Sequence, residues 1–443
     1  MPADVLVQPS SPALGLLQRR SFRMYSYARF WSRVAQNGVN FALVLLIVEK
    51  TGLAAMSSLL VLALVIPSTV AGIVAGAAAD RFPKRLVSSL GDAARGAICI
   101  VFAQGTGGVV SFYIVAVILS TATQFATAAQ GAMGPLIVER HELTRANAIN
   151  QAVGGAAQLA GLGILTPILL RLFDSPALLF WTAGALFFLS AIQIQFVGRV
   201  RSVRTEEVGE PPDVGGFWTV GWRAIQRDPA VWHAIVELTL IGATLIILGG
   251  LLPTYISEVL DLPVDIGALI LSPAAAGVAL GLRVAGFLAR RVPHAALSTA
   301  GFASFVVLLL ALTFVQPEAS FLAGFGMFAW LDKVHIGSFD GTGVLAMAIT
   351  APLGFSFAIV SVAGNTVVND RIPMHLQGRV QATQGALAAI ASSLPVLVAG
   401  FLADLLTVVP VMAMVALGIG AAAVVNLRAA LRERSEGSTE APV

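Results

Sequence analysis

Gly76-Ala77-Ala78-Ala79-Asp80-Arg81-Phe82-Pro83-Lys84 returns 210 residues later as Gly286-Phe287-Leu288-Ala289-Arg290-Arg291-Val292-Pro293-His294. Glycine, alanine, arginine and proline recur at one offset. Each copy ends the second apolar stretch of a set of six and opens a short polar turn. A repeat at matching places in two halves is the mark of a membrane bundle built twice from six helices.

The remainder of the chain agrees with that reading. Of its 443 residues 57% are hydrophobic and 12% charged, and the mean hydropathy is +0.85. A soluble domain carries about 25% charged residues, so most of this surface faces lipid or other helices. A spanning helix needs about 20 apolar residues. Twelve such windows fall near 27–48, 53–79, 86–104, 109–131, 147–170, 177–197, 231–256, 266–289, 295–315, 343–368, 380–402 and 408–427. Prolines inside them, such as Pro67, Pro273 and Pro352, are tolerated where neighbouring helices re-satisfy the backbone. The fold class is an all-α membrane protein with twelve transmembrane helices in two pseudo-symmetric six-helix bundles.

Polar punctuation sets the domains: an N-terminal segment 1–23, a first bundle 24–197, a linker 198–230 containing Gly-Glu-Pro-Pro, a second bundle 231–430 and a polar, disordered tail 431–443. Lysine and arginine mark the cytoplasmic side. With the N-terminus inside, 22 of the 27 basic residues lie in or beside cytoplasmic segments. Lys50, Arg171 and Lys333 fall outside, and Arg95 and Arg283 within spans. Both termini and the linker are therefore expected in the cytoplasm, in a cell inner membrane. Arg19, Arg20 and Arg23 precede a long span rather than the short apolar region of a signal peptide.

Several classes are excluded. The basic residues form no stripe, against nucleic-acid binding. Cys99 is the single cysteine, so neither a disulfide framework nor a CxxC metal site exists. The five histidines are dispersed, and no phosphate-cradling glycine loop precedes a Lys-Ser/Thr pair. No cofactor, metal or enzyme activity is expected.

The turn after window two resembles the Gly-x-Leu-Ala-Asp-Arg-x-Gly-Arg-Lys loop of the major facilitator superfamily: Gly76, Asp80, Arg81, Lys84 and Arg85 fit, and Pro83 replaces the second glycine. Gly221-Trp222-Arg223 through Asp228-Pro229, Leu252-Pro253-Thr254-Tyr255 through Glu258, Arg145-Ala146-Asn147 and Gln377-Gly378-Arg379-Val380 are similar to a branch holding macrolide-efflux, siderophore-export and lysophospholipid transporters. Arg290 departs from the motif's acid, and Val39 stands where many branch members carry Asp. The resemblance implies a secondary active transporter working by alternating access. It also implies a clasp of Asp80 on the helix start near Gly378 when the cytoplasmic side is closed.

Gln124, Thr127 and Gln130 follow Ser120 and Thr123 at three- and four-residue steps, one helical face. Ser361, Asn365 and Asn369 repeat the pattern in window ten, and Gln36, Asn37 and Asn40 lie in window one. In the superfamily, helices one, four, seven and ten line the central cavity. Gln36, Asn37, Asn40, Thr123, Gln124, Thr127, Gln130 and Asn365 are accordingly the candidate cavity residues. Asp92 and Arg95, at i and i+3, read as an ion pair bracing the Asp80 loop. Asp92 and Glu237 are the candidates for proton coupling. Arg283 snorkels, and Asp404 reads as a helix-end residue. No span carries an acid near its middle, so the cavity is expected to be neutral. That suits export of small hydrophobic or amphiphilic compounds by a monomer in contact with membrane lipids, with protons as the candidate coupling ion. A lysophospholipid flippase and a transport-dead sensor are the alternative readings. In the outside connection 316–342, apolar Phe321–Leu331 is too short to span and is expected at the interface, anchored by Trp330.

Overall fold

The computed structural model describes residues 14–105, 108–139, 142–173, 175–198, 214–263, 267–288, 291–292, 294–323 and 341–439. Arg290 and Trp330 lie outside them, and the side chains of Asp80, Gln377, Gly378 and Arg379 are not described. The chain forms α1 (Leu14–Gln18), α2 (Arg20–Thr51), α3 (Ala54–Arg81), α4 (Lys84–Ala103), α5 (Val109–Met133), α6 (Leu143–Gln158), α7 (Pro176–Gln195) and α8 (Val214–Arg227). Then follow α9 (Pro229–Glu258), α10 (Gly267–Leu288), α11 (His294–Thr313), α12 (Val315–Ala323), α13 (Gly341–Arg371), α14 (Met374–Leu406) and α15 (Val408–Thr439). Among the described residues eleven helices are long and apolar enough to cross a membrane; α10, with apolar Ile270–Ala285, completes twelve. An even number puts the start of α2 and the end of α15 on one face, called the terminal face below.

Local chemistry sets the breaks. Gly52 ends α2 in the left-handed region, at φ +67°, its N–H on Val48 O, a conformation that favours glycine. Pro83 separates α3 from α4. Asp228 caps α9 by accepting from Ala230 N at 2.9 Å, with Pro229 in the first turn, as missing N–H partners at a helix start require. The fifth span opens as α6 and continues as π-helix over Leu159–Leu165 and Ile168–Leu172.

Two differences from the sequence expectations are local. Residues 214–227 of the linker are the helix α8, whose Ile225 is buried with Val231 and Val380. The last helix does not stop at 430: α15 runs to Thr439.

Candidate functional site

The two bundles touch at the face opposite the termini. There, antiparallel α3 and α14 are joined end to end. Asp404, near the end of α14, accepts from Ala54 N (2.7 Å) and Ala55 N (3.0 Å) with separate carboxylate oxygens. The start of α3 has no side-chain cap of its own, since Leu53 holds that place. A carboxylate there satisfies unpaired donors and the partial positive charge of the helix start. Ser57 donates to Gly250 O at 2.6 Å, bringing α9 into the same seam, and Ser58 packs against Gly400. Glu258 likewise accepts from Val408 N at 3.1 Å, at the start of α15. Towards the terminal face, a Cβ at Gly76 of α3, Gly154 or Gly155 of α6, or Gly385 of α14 meets no described atom within 4 Å.

A buried ionic network fills the first bundle. Asp92 and Arg95 of α4 are paired, at 0% and 1% exposure. Asp92 also accepts from Ser190 of α7 (2.6 Å), Ser32 of α2 (3.3 Å) and Gln130 of α5 (3.4 Å). Arg95 donates to Ser32 (2.8 Å) and Gln36 (2.9 Å) and lies over the Phe187 ring at 4.4 Å. Four helices thus share one carboxylate and one guanidinium. The pair's described partners all come from helices α2, α4, α5 and α7 in the bundle interior.

This network divides the polar stripes. Gln130 is 4% exposed, and its amide turns inward to Asp92 and Ser88. Gln36 accepts from Thr123 (2.7 Å) as well as Arg95, and donates to Asn40. Ser120 donates to Leu64 O of α3. Thr127 bonds back to Thr123 O at 2.9 Å, and Asn365 to Ser361 O at 2.7 Å. Gln124 points to α3, its Oε1 3.8 Å from where a Gly72 Cβ would stand. Asn37, Asn40, Gln124, Thr127 and Asn365 are partly exposed; Gln130 and one end of Gln36 serve the interior.

The structure also places a group that the sequence reading counted with the cytoplasmic flank. Arg33 falls on the face of α2 that carries Asn37 and Asn40, and its side chain is exposed. The signal was the spacing: a cation four residues before one of the amides and seven before the other. Asp404 was legible as a helix-end residue, but its partners and those of Glu258 were not, since they are backbone amides far away in sequence.

Of the remaining candidates, Glu237 meets Ser298 of α11, and His233 one turn before it meets Asn426 of α15 at 2.7 Å, both within the second bundle. Arg81 is exposed, and Lys84 and Arg85 partly so. Arg283 is exposed on α10. On the outer flank of α3, α4 and α5 lies an apolar groove of about 680 Å³, lined by Phe82, Leu86, Leu90, Val117, Ile118 and Phe125 among others.

The signature of the Major Facilitator Superfamily matches residues 26–394. The chain belongs to the major facilitator superfamily. It is a multi-pass membrane transporter, and the Gly76–Lys84 segment joins its second and third spans, α3 and α4. It is 26% identical to the multidrug efflux pump Tap of Mycobacterium tuberculosis over 376 residues, 81% of each chain. It is 26% identical to the Tap of Mycolicibacterium fortuitum over 393 residues, 84% of this chain and 86% of that one. In fold it is similar to the nucleoside transporter NupG (D323A mutant), with a TM-score of 0.71 at 14% identity, covering 92% of this chain and 98% of that one. An auto-inhibited peptide transporter of the POT family gives a TM-score of 0.68 at 14% identity, covering 96% and 98%.

Proposed function

We propose that this superfamily member is a secondary active exporter of small hydrophobic or amphiphilic compounds. It works as a monomer by rocker-switch alternating access in the cell inner membrane, with both termini in the cytoplasm. One observation carries the reading: Asp404, Ser57 and their partners join the bundles at the face opposite the termini, while Gly76, Gly154 and Gly385 towards the terminal face have free space beside them. With the basic residues inside, that is an inward-open conformation ready to accept cargo from the cytoplasm or the inner leaflet. The efflux function of the Tap relatives supports the direction. Asn37, Asn40, Gln124, Thr127 and Asn365 offer amides and hydroxyls to such cargo, and the apolar groove on α3–α5 offers lipid chains a seat. If protons drive the cycle, Glu237 is the better candidate of the two. Asp92 already has Arg95 and three further donors, so releasing it would strand a buried cation.

The test is flux of labelled hydrophobic and lysolipid cargoes in proteoliposomes, with and without a pH gradient. Export of the hydrophobic cargo, reduced at least severalfold by Gln124→Phe or Asn365→Phe in protein that still reaches the membrane, is the expected result. Normal transport by both variants removes them from the cargo path. Preference for the lysolipid turns the reading to a flippase, and no flux of any cargo ends it. A reporter fused after Pro212 should be active in the cytoplasm; periplasmic activity would overturn the topology.

A further inference from the structure

The structure gives the wall of the central space a fixed positive charge. We propose that Arg33 selects cargo carrying an anionic group beside its apolar body. The inference rests on the transporter reading above and names the cargo class for the same cavity.

Ser32 and Gln36 flank Arg33 on α2, and both belong to the buried Asp92–Arg95 network. Arg33 therefore stands level with the closed interior of the bundle, yet its own side chain is exposed. The turn around it fixes where it points. Through Gln36, one side of α2 meets Thr123 of α5. Through Val34, Asn37 and Gly38, another side presses on Gly161 of the fifth span, where a Cβ would stand 2.6 Å from Val34 O. At 3.6 residues per turn, Arg33 and Asn40 fall on the arc between these two contacts. The helices that flank this arc reach the second bundle. Next to α5, α3 meets α14 through Asp404, and the fifth span meets α10, with Gly163 facing Ser272 at 3.8 Å. An arc between two such flanks looks into the space between the bundles.

Arg29 lies one turn before Arg33, donating to Tyr25 at 3.0 Å. Four acids of the described residues are engaged elsewhere: Asp92 by Arg95, Glu142 by Arg19, Asp228 by Arg371 and Glu237 by Ser298. Asp370 lies exposed at the end of α13, a turn beyond Asn365. No carboxylate among the described residues pairs with Arg33. A cation on a concave wall with a low-dielectric backing raises the local concentration of anions, and an ionisable side chain kept within a span marks a substrate path. Across the space Asn365 supplies a neutral amide. The cavity is thus positive on one wall, where the sequence alone suggested neutrality.

Two probes of one ring system test this on the purified full chain: anilinonaphthalene sulfonate, an anion, and phenyl-naphthylamine, its neutral analogue. Binding is read in neutral detergent and flux in phosphatidylcholine vesicles. The wild type should favour the sulfonate roughly tenfold, the scale of one partly solvated ion pair. Arg33→Gln should abolish that preference and leave the neutral probe unchanged. Arg33→Lys should retain most of it, and Arg33→Glu should turn it towards tetraphenylphosphonium. If Arg33→Gln leaves the ratio of the probes unchanged, or weakens both alike as a gate residue would, the inference is overturned. Movement of the neutral probe with no charge preference in the wild type overturns this inference alone. Movement of neither probe overturns the transporter reading with it.

Discussion

The two halves of the molecule share a fold and hold it with different forces. In the first bundle α2, α4, α5 and α7 converge on the Asp92–Arg95 pair and its hydroxyl and amide partners. In the second, α10 and α13 meet over small residues. Gly277 and Gly281 lie against Ala351, Phe355 and Ala358, and Gly354 lies on Ala274 O. Spans in lipid gain little from apolar burial, so association rests on polar contacts or on close backbone approach. Both halves use close approach, as at Gly96 on Gly184 O and Gly354 on Ala274 O, but among the described residues the first adds the buried Asp92–Arg95 pair, where the second adds neutral bonds such as Thr350 to Ile270 O. The repeat seen in the sequence therefore duplicates topology, while the buried ion pair belongs to the first half among the described residues.

Four experiments break or sharpen that contrast. The largest effect is expected from Asp92→Ala, which strands a fully buried guanidinium and should cost about 3–5 kcal/mol. Thermal unfolding in detergent would report it, and the double variant Asp92→Leu/Arg95→Met should lose less than Asp92→Ala alone. Equal losses would mean that the pair is not coupled. Next comes Gly277→Val in the second half, where the new Cβ collides with the Ala351 carbonyl. Overpacking of this kind costs about 1–3 kcal/mol, and a conservative Gly131→Ala, at a position with open space, should cost far less.

The seam comes third. Asp404→Ala removes both acceptors from the start of α3, and loss of a helix cap costs about 0.5–2 kcal/mol. Because the contact joins the bundles, the cost should appear as a population shift: a cysteine placed at Ala55, in a Cys99→Ser background, should label faster from the face opposite the termini. Unchanged labelling would show that Asp404 caps without closing. The smallest effect is at the terminal face. Burial pushes the Asp228 carboxyl up, but the hydrogen bond from Arg371 and the amides of Ala230 and Val231 outweigh it and hold the group below its ordinary value. A depressed carboxyl stabilises the fold above its ordinary value and loses that contribution as pH falls through the lowered one. Both partners are partly solvated, so roughly 0.2–1 kcal/mol is at stake. Asp228→Asn should flatten the acid limb of the stability profile by that amount; an unchanged limb would assign it to other carboxylates.

Arg33 shows how a legible residue can be misread. Its type and spacing were visible, but window one began at 27 and basic residues near a window's start are ordinarily cytoplasmic flank. Only the packing of α2, with Gln36 on one neighbour and Gly38 on the next, turned that flank into a wall. Gln130 is the converse case. Its place on the α5 stripe was readable, whereas its burial depended on Asp92 arriving from another helix. The ion pair at 92 and 95 was visible from its three-residue spacing, but its partners Ser32 and Ser190 were not, since nothing local links them.

The sequence by itself determined the membrane location, the spans, the doubled architecture and the family. These follow from composition, hydropathy and a short repeat, all of which lipid reads one segment at a time. The tertiary structure alone decided which polar residues serve the interior and which stay partly exposed, and that Asp404 ties the end of α14 to the start of α3. Those outcomes depend on how each helix is rotated against its neighbours, and that rotation is set by contacts between residues as far apart as Ala54 and Asp404.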